Sequence, residues 1–409
     1  MLHEDTLIAT LAMCLALAFV CGALAVRLRL PPLVGYLLAG IALGPYTPGW
    51  VADPHLAPQL AEIGVMLLMF GVGTHFSFAD LVAVWRVAVP GAIAQILVAT
   101  ALGALVAHWW GWPPGAGVLF GLALSVASTV VLLRALEERG LLTSPDGRIA
   151  VGWLVVEDLV TVLALVLLPA LAPALGGRAP DGLGLDPQHL GRGIALTLGK
   201  VALFVALMRV VGVRVFPWIL ARVMRTRSRE LFTLAAIALA LGVAYGSARL
   251  FDVSVALGAF FAGAVISGTD VSHKAASYLQ PLTDTFAALF FVAVGMLFEP
   301  AVLVRHPLEV LEVLAIIVLG KSLAALVIVR LLRRPLATAL TVSASLAQIG
   351  EFSFMLAVMG LAMGLLPAEA QSYIVAGALL SIMLNPLLFT AVARRRARLA
   401  AADGGATPV

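Results

Sequence analysis

Long apolar runs recur along the whole chain and are separated by short polar segments. A helix of about 20 apolar residues crosses the hydrocarbon core of a bilayer, and the alternation typical of barrel strands is absent. The pattern therefore predicts an all-α polytopic membrane protein with about thirteen transmembrane helices. The predicted helices occupy residues 6–26, 32–45, 57–76, 87–108, 115–136, 149–172, 193–215, 229–250, 253–269, 283–298, 308–331, 336–363 and 370–392.

Basic residues collect in alternate loops between these runs. They are Arg27, Arg29, Arg86, Arg134, Arg139, Arg148, Arg222, Arg225, Arg227, Arg229, Lys274, Arg330, Arg333 and Arg334, with Arg394, Arg395, Arg396 and Arg398 after the last run. Cytoplasmic loops carry such an excess of positive charge. We therefore expect a multi-pass protein of a bacterial inner membrane, with its N-terminus outside and its C-terminus in the cytoplasm. That orientation requires an odd number of spans.

Composition supports a membrane location and excludes several other classes. Charged residues make up 12% of the 409 residues and the mean hydropathy is +1.07, whereas globular domains carry about 25% charged residues. The net charge of +4 is then a loop property, so lipid is the expected partner and nucleic acid is not. No nucleotide-binding glycine motif or Cys/His ligand spacing is present, so no cofactor is predicted.

Two adjacent acids, Glu157 and Asp158, lie within the apolar run at 149–172. A charge at the bilayer centre costs about 2.5–3.5 kcal/mol even on insertion scales, and each carboxylate opposes ionisation of the other. Such acids commonly line a cavity and bind protons or cations. The alternative is a structural ion pair inside a helix bundle.

Two further polar residues lie deep enough to meet the acids. Lys321 falls in the middle of the run at 308–331 and can pair with Glu157 or Asp158, either as a permanent strut or as a pair that opens when substrate binds. Thr161 shares a helix face with both acids. Its hydroxyl can join a cation shell or bond back to its own helix. The sequence leaves both choices open.

Small polar residues interrupt two of the apolar runs, at 125–129 and 343–351. The runs take equivalent places on either side of the seventh predicted span, which is typical of inverted-repeat transporters with broken helices at the binding site. The candidate site residues there are Ser128, Thr129, Gln348, Gly350 and Glu351. Packing by small residues is the alternative for the interruptions, and capping of the second half-helix is the alternative for Glu351.

This symmetry suggests the domain organisation of the chain. Repeat one covers about 6–172, a linker helix about 193–215 and repeat two about 229–392, within a transmembrane domain of residues 1–392. A cytoplasmic tail, residues 393–409, follows. We expect no regulatory nucleotide-binding domain in the chain.

Several segments together resemble the monovalent cation:proton antiporters, and most of all the Kef/YbaL-type potassium:proton antiporters. They include Gly152-Trp-Leu-Val-Val-Glu-Asp158 and Leu346-Ala-Gln-Ile-Gly-Glu-Phe-Ser-Phe354, with residues 30–40, 64–73, 125–134, 228–232, 256–263 and 289–296. The segments run through almost the whole chain and are specific in combination, although each is weak alone.

The resemblance implies an NhaA/NapA-like inverted repeat with two crossed discontinuous helices, and a homodimer with a dimer-contact domain and a mobile core. Asp158 matches the family's essential ion- and proton-binding aspartate, and Lys321 matches its membrane-embedded basic residue. Glu157 is a departure, since Kef proteins commonly have glutamine there. Many relatives also continue into a cytoplasmic regulatory domain.

The expected function is secondary transport rather than enzymatic catalysis. The resemblance implies exchange of K⁺, or else Na⁺, for H⁺ by alternating access, with the cation bound at Asp158. A gated potassium channel is the alternative, but no TVGYG-like carbonyl filter is present. An intramembrane hydrolase has little support, because the acids are adjacent on one helix without a nucleophile constellation.

Overall fold

The computed structural model describes residues 5–28, 30–48, 51, 56–75, 78–137, 139–142, 144–178, 187–251, 255–267 and 269–403. All regular structure in these ranges is helical, which confirms the all-α class. The first helices are α1 (Asp5–Arg27), α2 (Pro32–Leu43), α3 (Leu56–His75), α4 (Phe78–Trp109), α5 (Pro114–Ser125), α6 (Thr129–Glu137), α7 (Pro145–Leu171), α8 (Pro187–Leu207) and α9 (Val213–Met224). The others are α10 (Arg229–Phe251), α11 (Val255–Ile266), α12 (Asp270–Met296), α13 (Val302–Arg305), α14 (Pro307–Ala315), α15 (Lys321–Leu331), α16 (Leu336–Ser345), α17 (Glu351–Ala362) and α18 (Ala368–Asp403).

Within the described ranges, 8 helical segments are long and apolar enough to cross a membrane alone. They are Leu7–Arg27, Val82–Trp109, Pro145–Pro169, Gly199–Met224, Arg229–Phe251, Lys274–Met296, Pro307–Leu331 and Ala368–Arg396. Shorter apolar helices are Pro32–Leu43, Gln59–Gly71, Pro114–Ser125, Val255–Ile266, Leu336–Ser345 and Glu351–Ala362. The count of thirteen spans, the inverted repeat and the repeat boundaries therefore stay predictions.

Several segments predicted as loop or tail are helical. Arg86 lies inside α4 and Lys274 inside α12, because the residues around them favour helix and the backbone bonds continue past the apolar stretch. Residues 393–403, in the segment predicted as a cytoplasmic tail, continue α18 as helix. There Arg396 pairs with Asp146 of α7 at 3.0 Å, which holds this end of the helix against its neighbour. Residues 179–186, which lie between the predicted spans at 149–172 and 193–215, and residues 404–409 lie outside the described residues.

Both predicted interruptions occur as breaks between helices. The first interruption, residues 126–128, separates α5 from α6, and the second interruption, residues 346–350, separates α16 from α17. A break leaves the last carbonyls of one half-helix and the first N–H groups of the next without intrahelical partners. Such groups are tolerated at membrane depth only where protein or water satisfies them.

A π-helical turn, Ile316–Gly320, directly precedes Lys321 at the start of α15. One extra residue in the turn rotates the following residues relative to a regular α-helix, and such turns are common at functional sites. The turn thereby sets the direction in which Lys321 leaves the helix.

The helices pack as two groups. One group contains α1, α2, α3, α10, α11 and α12, and the other contains α4 to α7 with α14 to α18. Close backbone approach holds the first group together: Gly40 of α2 faces Gly295 of α12, and any added Cβ there would strike the partner's backbone. The second group contains both interruptions and the acid pair.

Candidate ion-binding site

The two interruptions contact each other through a paired amide. The Ser128 N–H donates to Gln348 Oε1 at 2.8 Å, and Gln348 Nε2 donates back to the Ser128 carbonyl at 3.1 Å. Gly350 permits this approach, because a Cβ atom at that position would lie 2.5 Å from the Ser128 Cα. Segments that are far apart in the sequence thus form one polar centre in the second helix group.

The acid pair on α7 lies against the first interruption. Ser144 caps the start of α7 by accepting the Gly147 N–H at 3.0 Å. Glu157 Oε2 then accepts the Ala127 N–H at 3.1 Å, and Asp158 Oδ2 accepts the Thr129 hydroxyl at 3.0 Å. Glu157 therefore satisfies an N–H group that the break in the helix leaves open, and Asp158 is bonded to the side chain at the start of α6.

Each acid keeps one carboxyl oxygen without a hydrogen bond. Glu157 is fully buried and Asp158 is 5% exposed, and neither Glu157 Oε1 nor Asp158 Oδ1 has a partner among the described residues. A buried unpartnered carboxyl oxygen is costly unless it takes up a proton or a cation. These two carboxyl oxygens are therefore available to bind a proton or a cation.

Glu351 is the third buried acid at this centre. It lies in the first turn of α17, with the Ser128 hydroxyl 3.4 Å from Oε2, and its Oε1 has no partner in the described part of the chain. Gly350 precedes the helix without a side-chain cap. Glu351 and Asp158 repel each other electrostatically. The position of Glu351 is compatible with an ion ligand and with a negative charge that stabilises a helix N-terminus.

Lys321 is fully buried and donates from Nζ to the Gln348 carbonyl at 3.1 Å. Glu157 is near enough for a direct charge–charge attraction with it. Among the described residues, no ion pair within 4 Å joins Lys321 to Glu157 or Asp158. The Lys321 side chain is therefore anchored to the second interruption and attracts Glu157 without direct contact.

Thr161 lies one helical turn beyond the acids. Its hydroxyl donates to the Glu157 carbonyl at 2.8 Å, so it bonds to its own helix. No hydrogen bond in the described ranges joins its side chain to either interruption. Its bond to the Glu157 backbone is the link between Thr161 and the other predicted site residues.

A cavity of about 980 Å³ reaches the site from one side. Of the predicted site residues, only Thr129 and Asp158 line it. Pro31 and Arg139, from two of the predicted cytoplasmic loops, lie on its wall as well. Of the three buried acids at this centre, Asp158 is therefore the one that lines the cavity, and Glu157 and Glu351 do not.

Three polar residues near the site have no predicted role. Gln95 of α4 donates to the Ser125 carbonyl at 3.1 Å, and Asn385 of α18 donates to the Ala344 carbonyl at 2.9 Å. Asp284, expected near the end of a span, lies well inside α12 and lines the cavity. A lone amide in a long apolar run is the signal that marks Gln95 and Asn385.

Comparison with known proteins identifies the family. The sodium/hydrogen exchanger transmembrane family model matches residues 15–395. A protein of Escherichia coli (strain K12), YbaL, which is named as a candidate cation/proton antiporter, is 59% identical over 387 residues, covering 95% of this chain and 68% of its own. K(+) efflux antiporter 4 of Arabidopsis thaliana is 32% identical over 380 residues, covering 92% and 61% respectively.

The fold matches a solved transporter. The sodium proton antiporter MjNhaP1 from Methanocaldococcus jannaschii aligns with a TM-score of 0.71 at 16% identity, over 94% of this chain and 98% of that one. At this identity the match supports the fold alone. With the family match along nearly the whole chain, it follows that this membrane protein belongs to the sodium/hydrogen exchanger family, within the superfamily of monovalent cation:proton antiporters.

Proposed function

We propose that the protein is a secondary antiporter that exchanges a monovalent cation for H⁺ by alternating access, with Asp158 as the exchange site. One observation carries this assignment. Asp158 is the buried acid that lines the cavity, and it keeps an oxygen without a partner in the described residues. A proton and a cation compete for that oxygen, and their competition couples the two flows.

Thr129 and Asp158 would form the first part of the cation shell. The Thr129 hydroxyl donates to Oδ2 and keeps lone pairs for a cation, while Oδ1 supplies a full ligand. Ser128, Gln348 and Glu351 lie behind them and would hold the interruptions in place or bind a further proton. Hydroxyl and carboxylate oxygens suit hard cations in general.

K⁺ is the cation that we propose first and Na⁺ second. A relative of 32% identity is named a K(+) efflux antiporter, whereas the sodium antiporter of known structure shares the fold at 16% identity. The oxygen ligands alone do not discriminate between the two ions. The assignment to K⁺ therefore rests on sequence similarity.

Glu157 and Lys321 would supply a compensating charge pair. Their attraction keeps a buried acid and a buried ammonium at the site without a transported ion. Asp158 is then free to exchange ligands. Thr161, bonded to its own helix, would contribute through the shape of α7 rather than as a ligand.

The finer architecture is part of the proposal. We infer an inverted repeat, a homodimer in a bacterial inner membrane, and a cytoplasmic C-terminus. Loops predicted to be cytoplasmic border the cavity, so the described conformation would be open to the cytoplasm. The other side of Asp158 would become accessible when the two helix groups move relative to each other.

Transport in proteoliposomes tests the function. A trapped pH dye reports proton movement after addition of K⁺, Na⁺ or Li⁺, with protein-free liposomes as the control. We expect a saturable cation-driven proton flux that is greatest with K⁺. Cation flux without obligatory proton movement would favour the potassium channel and contradict the antiporter.

A further inference from the structure

Asn385 bonds one of the last carbonyls before the second interruption. It lies on α18, is 2% exposed, and donates from Nδ2 to the Ala344 carbonyl at 2.9 Å. Ala344 is in the last turn of α16, so its carbonyl lacks the N–H four residues on that a continuing helix supplies, and it accepts the Ala347 N–H only at a long 3.4 Å. Asn385 therefore holds the end of this half-helix.

The same hydrogen bond determines the orientation of the amide oxygen of Asn385. A carbonyl only accepts, so the nitrogen of Asn385 must face Ala344 and the oxygen must face elsewhere. No donor to Asn385 Oδ1 occurs among the described residues. Asn385 and Pro386 both line the cavity that Asp158 and Thr129 line. The amide oxygen is thus a spare acceptor in the wall of the ion path.

Gln95 gives an internal comparison at the first interruption. Its Nε2 donates to the Ser125 carbonyl at 3.1 Å, as Asn385 does to Ala344. Its Oε1, however, accepts the Trp153 indole N–H at 3.5 Å, and Gln95 is not part of the cavity wall. Both ends of the Gln95 amide are used within the protein. Asn385 differs because no group among the described residues donates a hydrogen bond to its Oδ1.

We propose that Asn385 is a specificity-determining residue, whose Oδ1 binds the partly dehydrated cation in the cavity that leads to Asp158. The proposal rests on the antiport proposed above. An amide oxygen binds a cation but does not take up a proton at ordinary pH. Asn385 therefore contributes to cation affinity and to discrimination among cations, and leaves the proton affinity of Asp158 largely unchanged.

Three variants in proteoliposomes separate this role from capping. Asn385→Leu keeps the approximate size and removes both amide atoms, Asn385→Asp keeps an oxygen and removes the donor, and Gln95→Leu removes the equivalent cap away from the cavity. The KM values for K⁺ and Na⁺, the maximal rate and the pH profile are measured for each variant. The ratio of the two KM values is the readout that loss of a cap alone would not move.

For Asn385→Leu we expect a KM for the preferred cation that rises about tenfold, which corresponds to one lost ligand of roughly 1.4 kcal/mol. The K⁺/Na⁺ ratio should change, while the maximal rate stays within about twofold and the pH profile is retained. Asn385→Asp should lower the KM, because a charged oxygen replaces a neutral one. Gln95→Leu should reduce stability and rate with an unchanged ratio.

Equal effects of Asn385→Leu and Gln95→Leu, with unchanged KM ratios, would overturn the proposal and leave Asn385 as a cap. If Asn385→Leu does not fold, an unchanged KM in Asn385→Asp would overturn it as well. Failure of the antiport itself is seen separately, as absence of proton-coupled exchange in the wild-type protein.

Discussion

Both interruptions are breaks between two half-helices, but neighbouring helices supply hydrogen-bond acceptors to the first and hydrogen-bond donors to the second. At the first interruption, α7 supplies acceptors: Glu157 takes the Ala127 N–H and Asp158 takes the Thr129 hydroxyl. At the second interruption, α15 and α18 supply donors, as Lys321 binds the Gln348 carbonyl and Asn385 binds that of Ala344. Acids thus accept an N–H and a hydroxyl in one place, and an ammonium and an amide donate to carbonyls in the other.

The polarity of the helix ends accounts for this difference. Negative groups are stabilised at helix N-termini and positive groups at C-termini. The acids lie where α6 begins, at Thr129, and the carbonyl donors serve the end of α16 and the segment after it. The cavity also touches Asp158 and Thr129 rather than Lys321 or Gln348. The first interruption is therefore the side on which we expect ion exchange, and the second supports and neutralises it.

The largest expected effect comes from removing the exchanging charge. Asp158→Asn should abolish exchange of every cation while the protein still folds and inserts, because an amide can coordinate weakly but cannot cycle a proton. Transport with K⁺, Na⁺ and Li⁺ and the yield of folded protein are the measurements. Glu230→Gln, an exposed acid at the start of α10, is the matched control and should transport normally. Retained proton-coupled transport in Asp158→Asn would refute the mechanism.

The next largest effect should come from separating the two interruptions. In Gly350→Ala the new methyl group meets the Ser128 backbone, and overpacking of this kind costs typically about 1–3 kcal/mol. We expect lower thermal stability and a loss of most transport. Gly242→Ala in α10 is the control, since its Cβ has open space. Equal behaviour of the two variants would mean that the interruptions need not touch.

A double-mutant cycle tests whether Glu157, at the first interruption, and Lys321, at the second, are energetically coupled. Lys321→Gln should destabilise the protein by less than the roughly 3–5 kcal/mol of a broken contact ion pair, because Glu157 loses an attraction that acts without direct contact. Exchange should survive through Asp158, with a displaced pH profile. In Glu157→Gln/Lys321→Gln the stability should recover relative to Lys321→Gln. Strict additivity would mean that the two residues are not coupled, and Asp158 would become the better candidate partner.

The smallest effects should come from single neutral oxygens at the interruptions. Ser128→Ala, Thr129→Ala and Gln348→Ala each remove one polar group and leave Asp158 in place. We expect each variant to raise the KM for the cation more than it lowers the maximal rate, with Thr129→Ala affected most because Thr129 lines the cavity. Wild-type kinetics in all three variants would contradict the proposed site.

The positions of the breaks and of the buried acids could be read from the sequence. Small polar residues inside apolar runs mark 125–129 and 343–351, and the observed breaks fall within these segments. A carboxylate inside such a run needs a special environment. The contacts could not be read in this way. Lys321 was a natural partner for an acid, yet it donates to the Gln348 carbonyl, because the break frees a carbonyl whose direction depends on tertiary structure.

Other features of the structure have no recurring sequence pattern that would predict them. Gln95 and Asn385 are single amides without a motif, so their roles emerge only when the half-helix ends beside them are located. Thr161 could join a cation shell or bond back to its own helix, and the bond to the Glu157 carbonyl becomes visible only in three dimensions. The polar first turns of α4 and α12, which precede and include Arg86 and Lys274, are not predicted, because hydropathy marks the membrane-crossing part of a helix and not its polar extensions.

Proton release on cation binding tests the central claim most directly. K⁺ or Na⁺ is added to the detergent-solubilised protein in weak buffer with a pH dye, at a pH where the empty site is protonated. We predict saturable proton release in the wild-type protein, with cation affinity that falls as the pH is lowered, and no release in Asp158→Asn. Cation binding without proton release, or equal release from Asp158→Asn, would contradict competition for Asp158.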